Sequence, residues 1–214
     1  MNRSLLWRFL QVPCRIATTL VLDLKVHGKH HVPADGGALL VANHQSYVDP
    51  VLVAVQLNRP VSFLAKSGLF KNKFFGWLIT SLHAFPVKQG KGDVGAIKET
   101  IARLEEGHVL NIYPEGERTW DGHLGVIQAG IALVVRKTSV PIIPVAIIGA
   151  FNAWPRTVVA PRGAPVRILY GPALKIDGMK GAEIVRLLDH TLRDMMDQLY
   201  TMHPEVPRPV RSTP

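Results

Sequence analysis

Cysteine is nearly absent. Cys14 is the only one in the 214-residue chain, which excludes an intramolecular disulfide and any thiolate metal cluster. A reducing, cytosol-facing location is the simplest reading of that usage. Acidic residues are also scarce: 16 Asp and Glu stand against 25 Lys and Arg, for a net charge of +9. Such a balance favours nucleic acid, an anionic membrane, or acidic substrates and partners. Charged residues of both signs make up 19%, below the usual share of about 25%, so apolar area is left to face a partner or lipid. Aromatics are few at 7% and form no ribonucleoprotein signature. No zinc-finger spacing or helix-turn-helix pattern stands out either, so no nucleic-acid partner is expected. Uninterrupted apolar runs fall short of the roughly 20 residues that a membrane-spanning helix needs.

The N-terminal stretch MNRSLLWRFLQVPCRIATTLVLDLKV is apolar but carries Arg8, Gln11, Pro13 and Arg15. No small-residue cleavage site follows a clean apolar block, as a signal peptide requires. Leu5, Leu6, Trp7, Phe9 and Leu10 interleave with Arg3, Arg8 and Arg15, the mix of a helix lying in a lipid headgroup layer. The alternative is a helix packed on the protein's own core. Residues 1–30 are therefore expected as an amphipathic membrane-associating segment, 31–202 as one folded domain, and the Pro-rich 203–214 as a flexible tail.

Between these ends, short apolar runs alternate with helical patterns. Residues 38–42, 61–65, 83–87, 109–113, 142–148 and 166–169 read as buried strands bounded by Gly, Pro or Asn. Val94, Ile97, Ile101 and Leu104 recur at helical spacing, with Asp93 as a start signal and Gly107 as a stop. Ile184, Leu187, Leu188, Leu192, Met195, Met196 and Leu199 line one face of a long C-terminal helix. The alternation predicts an α/β fold with a mixed, mostly parallel central sheet flanked by helices. Ligands in such sheets sit at the carboxyl ends of strands, and both chemically notable stretches lie just past one.

The first of these is Asn43-His44-Gln45-Ser46-Tyr47-Val48-Asp49-Pro50. Five residues of continuous helix turn about 500°, leaving His44 and Asp49 about 140° apart and out of contact. They meet if the strand ends at His44 and Asp49 starts the next helix, a place where aspartate is favoured in its own right as a cap. An imidazole held by a carboxylate is a general-base unit, the carboxylate fixing the tautomer and stabilising the imidazolium. The plain alternatives are a buried, satisfied histidine and an ordinary helix cap. Ser46 as a nucleophile lacks a G-x-S-x-G elbow and lies only two residues from His44. A hydroxyl supplied by substrate is the simpler target for the base.

The second stretch is NIYPEGERTWDG, residues 111–122. Pro114 and Gly116 force a tight turn that projects Glu115, Glu117 and Arg118. An arginine there can grip a phosphate bidentately, or the turn can be a solvated charged loop.

Taken together, the two stretches resemble the glycerolipid acyltransferase family that acylates lysophosphatidic acid, the PlsC-like 1-acyl-glycerol-3-phosphate acyltransferases. Residues 43–49 match that family's N-H-x-S-x-x-D block, and Y-P-E-G-E-R-T at 113–119 is similar to its F-P-E-G-T-R-S block. AKSGLFKNKFFGWLITSLHAFPVK, with Lys66, Phe70, Gly76 and Phe85, resembles the block between them, and VPIIPVAI at 140–147 the fourth. The resemblance covers roughly residues 38–150. It implies that His44, oriented by Asp49, deprotonates an acceptor hydroxyl that attacks the thioester of acyl-CoA or acyl carrier protein. It implies too that Glu115, Gly116 and Arg118 help hold a lysophospholipid acceptor, with Lys66 and Lys88 as further phosphate ligands. No metal or other cofactor is implied, and the expected location is the cytoplasmic face of a membrane. The segment 74–79 is then either an acyl-chain or membrane-facing wall, or core.

Three departures bear on the acceptor. Glu117 replaces a small hydroxyl residue and would repel a phosphate unless it turns outward or pairs with Arg118. Lys88 stands in place of an arginine, and Gln128 in place of a basic residue. Lysophosphatidic acid is the leading acceptor; the alternatives are another lysolipid or hydroxyl lipid, a Ser46 thioesterase or lipase, and a lipid-binding module without catalysis.

Overall fold

The computed structural model describes residues 3–81, 83–87 and 94–210. In chain order the elements are α1 (Arg3–Leu22), β1 (Lys25–His27), β2 (Ala38–Ala42), α2 (Asp49–Val55), β3 (Val61–Lys66), α3 (Lys73–Ser81), β4 (Ala84–Val87), α4 (Val94–Glu105), β5 (Val109–Ile112), α5 (Gly130–Lys137), β6 (Ile142–Ile148), α6 (Ala150–Ala153), β7 (Arg167–Tyr170) and α7 (Gly181–Met202). Among the described residues the strands form one sheet in the order β1-β7-β6-β2-β5-β3-β4. Every pairing is parallel except β6 with β7. The mixed, mostly parallel α/β sheet expected from the sequence is what forms.

β2 and β6 are apolar at every position because both sheet faces are covered. In β2, Leu39 and Val41 pack into the layer that holds α4, α5 and α7, whereas Ala38, Leu40 and Ala42 pack against α2. In β6, Ile142, Ala146 and Ile148 face the first layer and Ile143, Val145 and Ile147 the second. Each such Leu or Ile, fully withdrawn from water, contributes roughly 1.5–3 kcal/mol. Of the α7 face named from the sequence, Ile184, Leu188, Leu192, Met195, Met196 and Leu199 are buried and Leu187 is half-buried. Gly107 ends α4 with a φ of 88° and donates its N–H to the Leu104 carbonyl, a left-handed conformation that favours glycine. Asp93, the expected start signal, lies outside the described residues.

Three features differ from the sequence reading. β1 is a three-residue edge strand, too short to carry a periodic pattern, and it joins the sheet from within the first thirty residues. In α1, Trp7 is buried, and two of the polar residues serve the fold. Gln11 and Arg15 donate to the carbonyls of Val55 and Leu57, at the open C-terminal end of α2, where backbone acceptors lack helical partners. The exposed side of α1 is instead Phe9, Val12, Ile16 and Leu20, with Phe9 76% and Leu20 79% accessible.

The third difference is the tail. Val206 is buried, and Glu205 pairs with the buried Arg167 guanidinium at 2.7 Å. That guanidinium also holds Asp23 at 2.6 Å, so β7 is tied both to the end of α1 and to the chain beyond α7. A buried guanidinium needs such partners, which accounts for the Glu205 contact; further along, the exposed Arg208 pairs with Asp197.

Segment 74–79 splits between its two expected environments: Phe74 is 73% exposed and Trp77 54%, while Gly76 is buried. No described helix is long and apolar enough to cross a membrane.

Candidate active site

β2 ends at Ala42, and the chain turns at once into the His44 loop, anchored on either side. Asn43 exchanges two hydrogen bonds with the Ile147 backbone of β6, at 2.9 and 2.7 Å. Gln45 donates to the Gly122 carbonyl at 2.8 Å. Between them, His44 Nδ1 lies 2.8 Å from Asp49 Oδ2. Asp49 stands in the first turn of α2 but does not cap it; its Oδ2 also accepts the N–H groups of Gln45 and Ser46, at 2.6 and 2.7 Å. A carboxylate oxygen has no proton to give here, so the ring donates from Nδ1, and Nε2 is the nitrogen free to take one. Asp49 is fully buried and His44 17% exposed, which leaves the pair reachable from the histidine side alone.

The adjacent strand β5 delivers the second loop to the same sheet edge. The Tyr113 ring stacks on His44 with centroids 3.9 Å apart. Gly116 closes the turn with a φ of 77° and donates to the Tyr113 carbonyl at 3.1 Å, a conformation that favours glycine. Glu115 points inward: Oε1 accepts the His44 N–H at 2.7 Å and Oε2 the Gly125 N–H at 2.8 Å. Burial pushes its carboxyl up to about 7, against the downward pull of those two N–H donors. The Thr119 N–H in turn donates to the His44 carbonyl at 2.8 Å. His44 is thus gripped by ring, amide and carbonyl at once.

Arg118 lies over the Tyr47 ring, its Cζ 3.3 Å from the centroid. Its Nη1 is buried and makes no hydrogen bond among the described residues. Glu117 pairs with Arg156 Nη1 at 3.2 Å, so the carboxylate beside Arg118 is engaged by another cation. Gln128 is exposed, with its side chain beside Gly116. Lys66 ends β3 at the same sheet edge, next to β5, while Lys88 lies outside the described residues. Ser46 Oγ donates to the Trp154 carbonyl at 2.8 Å, a structural use of the hydroxyl.

Sequence reasoning brought His44, Asp49, Glu115, Gly116 and Arg118 into one neighbourhood. It missed Tyr113 as the surface under the imidazole, although that residue directly precedes the Pro-Glu-Gly turn. It also missed Arg156, which no local pattern marks. Nothing among the described residues forms a cluster of three metal-ligating side chains.

Comparison with known proteins fits this geometry. The acyltransferase family model matches residues 23–148. A 1-acyl-sn-glycerol-3-phosphate acyltransferase of Bacillus subtilis is 31% identical over 138 residues, 62% of this chain and 68% of that one. The chloroplastic enzyme LPAT1 of Arabidopsis thaliana, of the same name, is 29% identical over 62% of this chain, but that stretch spans only 38% of its own length. The crystal structure of PlsC from Thermotoga maritima, an LPA acyltransferase, shares the fold with a TM-score of 0.77 at 24% identity, over 90% of this chain and 79% of that one.

The raised Glu115 pKa makes stability pH-dependent. The native state holds a proton on Glu115 up to about pH 7, whereas the unfolded chain releases it near 4.5. Its contribution is complete below pH 4.5 and falls as pH rises to 7, by on the order of 2–3 kcal/mol. In urea unfolding at pH 5 and pH 7.5, Glu115→Gln is expected to lose less stability over that interval than wild type. Equal losses would contradict the shift.

Proposed function

The chain belongs to the acyltransferase family, and we propose from that premise that it transfers a fatty acyl group to 1-acyl-glycerol-3-phosphate, giving phosphatidic acid for phospholipid synthesis. The donor is a thioester, acyl-CoA or acyl carrier protein. The observation that carries this reading is the 2.8 Å contact between His44 Nδ1 and Asp49, with Arg118 held in the neighbouring loop.

The chemistry runs as follows. The acceptor hydroxyl gives its proton to His44 Nε2 as its oxygen attacks the thioester carbonyl. Asp49 supports the imidazolium that forms, and a base so placed contributes a rate factor of about 10²–10⁴. The tetrahedral intermediate collapses, the C–S bond breaks, and the imidazolium returns the proton to the leaving thiolate. No acyl-enzyme is needed, and the commitment of Ser46 Oγ to the Trp154 carbonyl speaks against a serine hydrolase. Arg118 meets the acceptor phosphate, with Lys66 and Lys88 as further cations near it. Gly116 allows the turn that carries Arg118. Glu115, with both oxygens on backbone N–H groups, acts by fixing the His44 amide rather than by touching lipid.

An amphiphilic acceptor must be taken from a bilayer, and the cytoplasmic leaflet is where the thioester donors are available. The row Phe9, Val12, Ile16 and Leu20 on α1, with Phe74 and Trp77 on α3, offers an exposed apolar surface on a chain of net charge +9. That combination suits the interface of an anionic membrane.

Purified protein, acyl-CoA and a panel of lysolipids, with products identified by mass spectrometry, test the activity. Phosphatidic acid is expected as the main product, and Arg118→Ala is expected to raise the acceptor KM by about tenfold with a smaller effect on kcat. Consumption of no lysolipid, or an unchanged KM, would count against the reading. For the membrane, Phe9→Ser with Leu20→Ser is expected to cut co-sedimentation with phosphatidylglycerol vesicles several-fold. Undiminished binding would exclude α1 as the contact.

A further inference from the structure

Glu117 stands beside the arginine proposed to hold phosphate, where the related sequence block carries a small hydroxyl residue. Arg156, in the loop after α6, is aimed at it. Its Nη1 donates to Glu117 Oε2 at 3.2 Å and to the Arg118 carbonyl at 2.9 Å. Its Cζ lies 3.4 Å from the centroid of the Trp120 ring. Two guanidiniums therefore rest on two aromatic faces, Arg118 on Tyr47 and Arg156 on Trp120, joined through the Arg118 carbonyl. Arg156 is engaged by a carboxylate, while Arg118 keeps a buried Nη1 without a hydrogen bond among the described residues.

We infer that Arg156 is a positioning residue that sets acceptor specificity: it draws the Glu117 carboxylate away from Arg118, so that Arg118 keeps its charge for an anionic headgroup. The inference rests on the acceptor reading above. An exposed ion pair alone contributes little; here the stack on Trp120 and the bond to the Arg118 carbonyl hold the guanidinium in place, and the carboxylate follows it. Without Arg156, the Glu117 carboxylate is an unpaired anion next to the phosphate ligand. It then competes for Arg118 or repels a phosphate dianion, and it welcomes a headgroup that carries a cation. The damage comes from Glu117 rather than from the missing arginine, and that sets the inference apart from a simple structural role.

Steady-state kinetics on the full chain test this with wild type, Arg156→Ala, Glu117→Thr and the double variant. The acceptors are lysophosphatidic acid and a lysophospholipid with a choline headgroup. Arg156→Ala is expected to raise KM for lysophosphatidic acid by about tenfold with kcat within about twofold, and to narrow the preference over the choline lipid. Adding Glu117→Thr is expected to bring KM back to within about threefold of wild type, a rescue that a merely misfolded loop would not give. An unchanged KM in Arg156→Ala, or a double variant no better than the single, would overturn the inference while leaving the acceptor reading intact. Failure of wild type to use lysophosphatidic acid would overturn both.

Discussion

One carboxylate oxygen organises the site. Asp49 Oδ2 receives the His44 ring and the two backbone N–H groups of Gln45 and Ser46, all within 2.8 Å. A buried carboxylate is costly unless donors surround it. The chain meets that demand at Oδ2 by folding the residues between His44 and Asp49 into a tight loop around it, while Oδ1 is buried without a hydrogen bond among the described residues. The turn that satisfies Oδ2 is the same turn that fixes the imidazole, so orientation of the base follows from a requirement of the core.

A second buried carboxylate couples that loop to its neighbour. Glu115 reaches from the end of β5 to the His44 N–H on one side and to the Gly125 N–H on the other. Because β5 and β2 are adjacent parallel strands, their carboxyl ends leave the sheet side by side, the usual place for a ligand in such a sheet. β6, on the far side of β2, contributes Ile147 as the anchor for Asn43. Three central strands, stabilised by burial on both faces, thus hold the loops that carry the chemistry.

Much of this was legible in the sequence, for physical reasons. Apolar runs such as Leu39–Ala42 can only be central strands or buried helix, and their length and flanking residues decide for strand. For His44 and Asp49 the sequence set a condition, that they meet only if no continuous helix joins them, and β2 ends at Ala42 while Asp49 starts α2. What stayed hidden depends on contacts between distant residues. The inward reach of Glu115 spans 71 positions to His44, and the Glu117 partner lies 39 positions away at Arg156. The same holds for Arg15, expected to face a headgroup layer, and for Gln11: their donors serve the end of α2, 40 or more residues on. The Pro-rich tail has no periodic apolar face, and its charges gain meaning only beside distant partners, Glu205 beside Arg167 and Arg208 beside Asp197.

The central claim is that Asp49 makes His44 a base for acyl transfer. Asp49→Asn keeps the side-chain shape, and a carboxamide oxygen can still accept from the backbone, but the negative charge that supports the imidazolium is gone. The direct measurement is kcat for acyl transfer from acyl-CoA to lysophosphatidic acid in this variant. A loss of about 10²-fold or more, with the acceptor KM little changed, is expected. A kcat within twofold of wild type would contradict it.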